Sequence, residues 1–175
     1  MKTYRHICFA LLPLLLASCF SSKSTSTYVL DCDFAPITSQ QPRVIVKNVL
    51  VPGHLDSTQI MQRFSESRIG ARKYQQWGIN FRRMLKNSLT NKVAQASATP
   101  GTPVTVDILF NRFEPMNDQL MVDAVCILRE KNNKFIRSDK IQFSLLWYDE
   151  SDDTLIALYN QALDELTKRI IAIAQ

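Results

Sequence analysis

The stretch that decides the fold is residues 104–148, VTVDILFNRFEPMNDQLMVDAVCILREKNNKFIRSDKIQFSLLWY. Val104, Val106, Ile108 and Phe110 alternate with Thr105, Asp107 and Asn111. Leu120, Val122, Ala124, Cys126 and Leu128 fall on one side of a second run. Asn132-Asn133, inside Glu130 to Lys134, reads as a turn. In a third run, Lys140 to Tyr148, Ile141, Phe143, Leu145 and Trp147 share a face. Side chains of a strand alternate between its faces, so three such runs on short links predict an antiparallel meander with one buried side.

After the meander the period changes. Leu155, Leu158, Tyr159, Ala162, Leu166, Ile170 and Ile173 recur at helical spacing behind Ser151, a suitable N-cap. Asp149, Glu150, Asp152 and Asp153 cluster there, and the helix dipole favours acids in a first turn. Capping explains this cluster better than paired-carboxylate catalysis. Before the meander, Asn80 precedes Phe81, Leu85, Leu89 and Val93, a stripe with Met84 beside it. Arg82, Arg83 and Lys86 face away, and Thr99-Pro100-Gly101 stops the helix.

Further back, residues 59–64 and 69–74 flank Ser65-Glu66-Ser67 as a hairpin. Residues 44–51 form an apolar strand broken by Pro52-Gly53, and residues 28–32 a short first strand. The order β-β-β-β-α-β-β-β-α predicts an α+β fold, a mainly antiparallel sheet with two amphipathic helices packed on one face.

The N-terminus is of another kind. Lys2 and Arg5 precede the apolar run Ile7 to Leu16, too short to span a bilayer. Leu16-Ala17-Ser18-Cys19 then looks like the lipobox of bacterial lipoproteins, in which the cysteine thiol carries lipid. Residues 1–18 therefore read as a signal peptide, 19–27 as a lipidated tether and 28–175 as a single domain. Losing Lys2 and Arg5 lowers the formal charge from +5 to +3.

That charge is uneven. Residues 43–92 hold ten bases against two acids, and residues 100–175 eight against twelve. Export argues against nucleic acid as the partner and leaves lipid headgroups or an acidic protein. Arg63, Arg68, Arg72 and Lys73 gather around the 59–76 hairpin and are the candidate partner contact, with Arg68, Arg72 and Lys73 expected to be exposed. Cys32 and Cys126 remain after Cys19 is used. In an exported chain they are expected to pair as a disulfide, the alternative being two small buried apolar residues.

Signs of enzymatic chemistry are absent from the sequence. The exported part keeps one histidine, His54, with no CxxC or HxxxH spacing for a metal and no GxSxG around a serine. Four glycines form no phosphate loop. His54 reads as structural or solvated, and no catalytic, metal-binding or cofactor-binding residue is expected.

Residues 44–94, VIVKNVLVPGHLDSTQIMQRFSESRIGARKYQQWGINFRRMLKNSLTNKVA, resemble the ABC-type transport auxiliary lipoprotein family, the PqiC-like proteins. The likeness rests on Tyr28-Val29-Leu30 after the tether, Val51-Pro52 with Leu55, the step from Tyr74 to Trp77, and the Leu and Asn residues of 85–91. Gly78-Ile79-Asn80-Phe81 departs from the family's usual Pro-Leu after the tryptophan. The resemblance implies a non-enzymatic periplasmic lipoprotein of an MCE-type lipid-transport system. It would dock an MCE-domain (PqiB-like) protein and its permease at the outer membrane, with no cofactor. Phe20 after Cys19, in place of aspartate, fits release to that membrane. A homo-oligomer stays open. So do two other roles: a lipid carrier with a pocket between helices and sheet, and an envelope-assembly or secretion lipoprotein.

Overall fold

The computed structural model describes residues 24–34, 43–97, 103–149 and 151–175. The expected signal peptide, Cys19, Glu150 and the helix stop at Thr99-Pro100-Gly101 lie outside these residues.

Among the described residues, seven strands form one sheet, and two helices cover one of its faces. The strands are β1 (Ser26–Tyr28), β2 (Val44–Leu50), β3 (Gln59–Ser65), β4 (Arg68–Trp77), β5 (Val104–Met116), β6 (Gln119–Arg129) and β7 (Phe135–Leu146). The helices are α1 (Phe81–Ala96) and α2 (Asp152–Ile173), and a 3-10 turn occupies Gly53–Leu55. The α+β expectation holds. The meander β5–β6–β7 is antiparallel, as is the β3–β4 hairpin. The sheet is nonetheless mixed, because β1 runs parallel to β4, and β2 and β3 both run parallel to β5. These two strands share one edge of the 13-residue β5. β2 pairs with Val104 to Leu109, and Arg63 of β3 pairs with Met116. Pro52 and the 3-10 turn make the break between them.

Several boundaries differ from the sequence reading. The expected tether gives up Ser26 and Thr27, which pair with Gln75 and Gln76. The expected strand 28–32 is instead mostly an extended strap. After β1 it crosses the helices, with the Asp31 N–H donating to Asn160 on α2 and the Phe34 N–H to Gln95 on α1. β4 continues past Tyr74 to Trp77 because Tyr74 adopts φ 65 in a bulge. Between the pairs Met61↔Ala71 and Gln59↔Gln76, β3 advances two residues and β4 five.

The core lies between helices and sheet. Leu85, Leu89 and Val93 of α1 and Leu163, Leu166 and Ile170 of α2 meet Val106, Ile108, Val122, Ala124 and Cys126, all without solvent exposure. Burying each large aliphatic side chain is worth about 1.5–3 kcal/mol. Where β4, α1, β5 and α2 converge, four rings knot together. Trp77 stacks on Phe81 at 4.9 Å, and Tyr159 lies 5.1 Å from Trp77 and 5.2 Å from Phe113. Such pairs add about 0.5–1.5 kcal/mol each beyond burial. Both expected caps form: Asn80 accepts from the Arg83 N–H and Ser151 from the Thr154 N–H, each at 3.2 Å. Asn80 also donates to Asp56, which pairs with Arg82. The Asn80 donor, and then Arg82, hold the Asp56 carboxyl below its usual range.

Candidate functional site

The candidate contact residues of the hairpin separate into two kinds. Arg63 is turned inward, its side chain 11 % exposed, and donates through Nε to Glu114 at 2.5 Å. Glu114 is wholly buried, and its other oxygen lies 2.5 Å from His54 Nε2. The carboxylate sits along the stretch of β5 where β2 has ended and β3 has not yet paired. His54 is therefore structural, tied from the 3-10 turn to β5. Arg72 is also committed. It reaches Asp152 in the first turn of α2 at 3.0 Å, bonds Gln62 and Gln75, and lies 5.0 Å above the Trp147 ring. The expectation that Arg68, Arg72 and Lys73 are exposed thus fails for Arg72, and Arg63 is turned away from a partner as well. The buried Glu114 on β5 claims the charge of Arg63, and the half-buried Asp152 on α2 that of Arg72. Arg68 and Lys73 are exposed, Arg68 with its guanidinium 5.0 Å from the Phe64 ring.

The two cysteines do not pair. Both are free thiols, against the expected disulfide. Cys126 points from β6 into the core, and burial pushes its thiol up to about 12. Cys32 lies on the strap, 3.6 Å from Ser88 of α1, so the helix layer intervenes between them. Of the two alternatives, Cys126 takes the small buried apolar role. Cys19 lies outside the described residues.

The strand directions give the domain two unlike ends. β1 is parallel to β4, so the chain before Ser26 comes from the side of the β3–β4 hairpin tip. The β5–β6 turn at Asn117-Asp118 and the β7–α2 link lie at this same end, where the Trp147 N–H donates to the Asp118 carbonyl. The β6–β7 turn lies at the opposite end. Thirteen residues of β5 separate the two, roughly 40 Å along the strand. At that distal end Phe135 and Ile136 are exposed at 56 % and 43 %, with Lys131 and Lys134 in the adjoining turn. Sequence reasoning missed Glu114, Phe135 and Ile136. The adjacent apolar pair directly after a turn, outside any alternation, was the visible signal for the last two.

Among the described residues, apolar side chains of the helices and the sheet meet in one buried cluster. The clefts of about 340, 320 and 260 Å³ open along its margins: between β7 and α2, on the β3–β4 hairpin, and between β2 and α1. Among the described residues no three His, Cys, Asp or Glu side chains gather as a metal site.

Residues 33–171 match the model of the ABC-type transport auxiliary lipoprotein component. The chain belongs to that family. Its fold recurs in crystal structures of other proteins. An uncharacterized protein, 15 % identical, aligns with a TM-score of 0.71 over 87 % of this chain and 100 % of its own. Protein XCC0632 from Xanthomonas campestris, of family DUF330, is 14 % identical and aligns at 0.72 over 83 % of this chain and 92 % of its own. These likenesses show the fold. Comparison with curated proteins finds no match. The auxiliary lipoprotein of an ABC-type transport system, a cell-envelope component, is thus the role its family assigns.

Proposed function

We propose that this auxiliary lipoprotein is the non-enzymatic docking subunit of an MCE-type lipid-transport system. It is held by lipid on Cys19 at the periplasmic face of the outer membrane, and it receives an MCE-domain protein connected to an inner-membrane permease. Family membership over residues 33–171 is the observation that carries this reading. The buried apolar cluster between helices and sheet, as far as the described residues show it, supports it over a lipid carrier. The docking surface we assign is the distal end. Phe135 and Ile136 supply apolar area beside a turn that carries Lys131 and Lys134, which suits an acidic-rimmed partner.

The test is in the native envelope. Wild-type protein should fractionate with the outer membrane, and Cys19→Ala should leave it. Cross-linked wild type should co-isolate an MCE-domain protein, and Phe135→Asp with Ile136→Asp should reduce that recovery while the fold is kept. If the Cys19→Ala protein stays with the outer membrane, the anchor is wrong. Recovery of only non-MCE partners would reject the docking role.

A further inference from the structure

The tether leaves the domain at one end, and that end carries rings. Phe64, Tyr74 and Tyr148 are exposed at 44 %, 48 % and 87 %, with Leu146 at 47 %. Phe64 and Tyr74 belong to the β3–β4 hairpin, and Leu146 and Tyr148 to the end of β7 and its link to α2. Arg68 and Lys73 lie between the hairpin rings, and a cleft of about 320 Å³ opens beside them, lined by Phe64, Arg72 and Lys73. Amphipathic rings flanked by long basic side chains suit the boundary between water and acyl chains.

Length decides what this end faces. Only five steps separate Cys19 from Ser24, at most about 18 Å when fully extended. Beyond the bulge, Ala71 back to Arg68 covers about 10 Å in the direction from which the tether comes, and the Glu66-Ser67 turn extends it. The hairpin therefore covers a large part of the distance that the tether can span. We infer that this end of the domain, through Phe64, Tyr74, Leu146 and Tyr148 with Arg68 and Lys73, is seated on the phospholipid surface. The inference rests on lipid anchorage through Cys19.

Net charge does not carry the contact. Glu66 at the tip pairs with Arg112 at 2.7 Å, Arg72 pairs with Asp152, and among the described residues the exposed acids Asp118, Asp149 and Asp153 outnumber Arg68 and Lys73. The rings carry it, so it persists at high salt. This end faces the membrane and the distal end faces the periplasm, which leaves Phe135 and Ile136 accessible to a partner.

The experiment uses the full lipidated chain in vesicles of phosphatidylethanolamine and phosphatidylglycerol, and the same protein in detergent. Flotation is scored first. A water-soluble amine reagent then labels lysines, read site by site by mass spectrometry. Lys73 should label more slowly in vesicles than in detergent, on the order of fivefold, as expected for a stem held at a headgroup boundary. Lys134, at the other end, should keep its rate. High salt should leave the protection in place, and Phe64→Ser with Tyr148→Ser should abolish it while flotation persists. Failure to float overturns the anchor and the seating together. Flotation with Lys73 labelled as fast as in detergent overturns the seating alone, as does protection of Lys134 in place of Lys73. Protection lost at high salt overturns the ring-carried contact.

Discussion

Glu114 is a carboxylate with no exposed surface, held by Arg63 on one oxygen and His54 on the other. Removing one partner of a buried ion pair leaves the other charge without its counterion. Glu114→Gln is therefore expected to destabilise the domain by about 3 kcal/mol, read from urea unfolding. Arg63→Met combined with Glu114→Gln should cost less than the two changes added together. Charge reversal at Arg63 would thus report on folding and not on docking. The sequence places Arg63 in a basic cluster but does not disclose that a glutamate 51 residues away neutralises it. The thiols carry a second prediction. A thiol reagent should modify native Cys32 ahead of Cys126, and both should titrate once the chain unfolds. Cys126 has an ordinary value of 9.0, raised by burial to about 12. Folding thus favours its protonated form. The associated stability is fully present below pH 9.0, and falls as pH rises toward about 12, where the unfolded chain ionises and the folded one resists. The stability difference between wild type and Cys126→Ala should shift over that window in denaturation measured at several pH values.

Among the elements, the helices were the most legible. Both caps and both apolar stripes stand where side-chain chemistry placed them, because 3.6-residue periodicity survives when one face is buried. The strands were legible only as far as their alternation lasts. The alternation that marks β5 in the sequence lasts only to Asn111. The strand runs on to Met116 because a bulge at Asn111 shifts the register, so that Phe110 and Phe113 both point inward three residues apart. β7 begins at Phe135, five residues before the expected start. Its first residues lie on an edge with neither face covered, and burial therefore imposes no pattern on them. The strap after β1 had no periodicity to read. Lys92 of α1 secures it, buried to 1 % exposure, donating to the Asp33 carbonyl and pairing with Asp164 of α2 at 2.8 Å. Lys92→Met keeps the stem and removes these charge-assisted bonds, at a cost of about 2 kcal/mol in unfolding free energy. Hydrogen exchange of the Phe34 amide, which bonds Gln95, should quicken most in this variant.

Across the whole molecule, the class of fold was readable and its wiring was not. Alternating runs specify a sheet covered on one side. They do not specify that β2 and β3 line up along a single edge of β5, since parallel neighbours distant in sequence leave no local trace. The resemblance of residues 44–94 was the specific part of the sequence reading, and the family match extends over residues 33–171. The unlike ends of the domain follow from strand direction, which sequence alone did not supply. The shared edge of β5 also bears on how the chain is made. Val44 pairs with Val104 and Leu50 with Leu109, across about 60 residues that include a hairpin and a helix. In a chain that emerges from its N-terminus, β2 has no strand to join until β5 has followed it, although the β3–β4 hairpin is free to close. Contacts of such separation form slowly, because the intervening loop must be ordered before they repay its entropy. The apolar face of β2 stays open during that interval, the kind of transient surface on which chains misassemble.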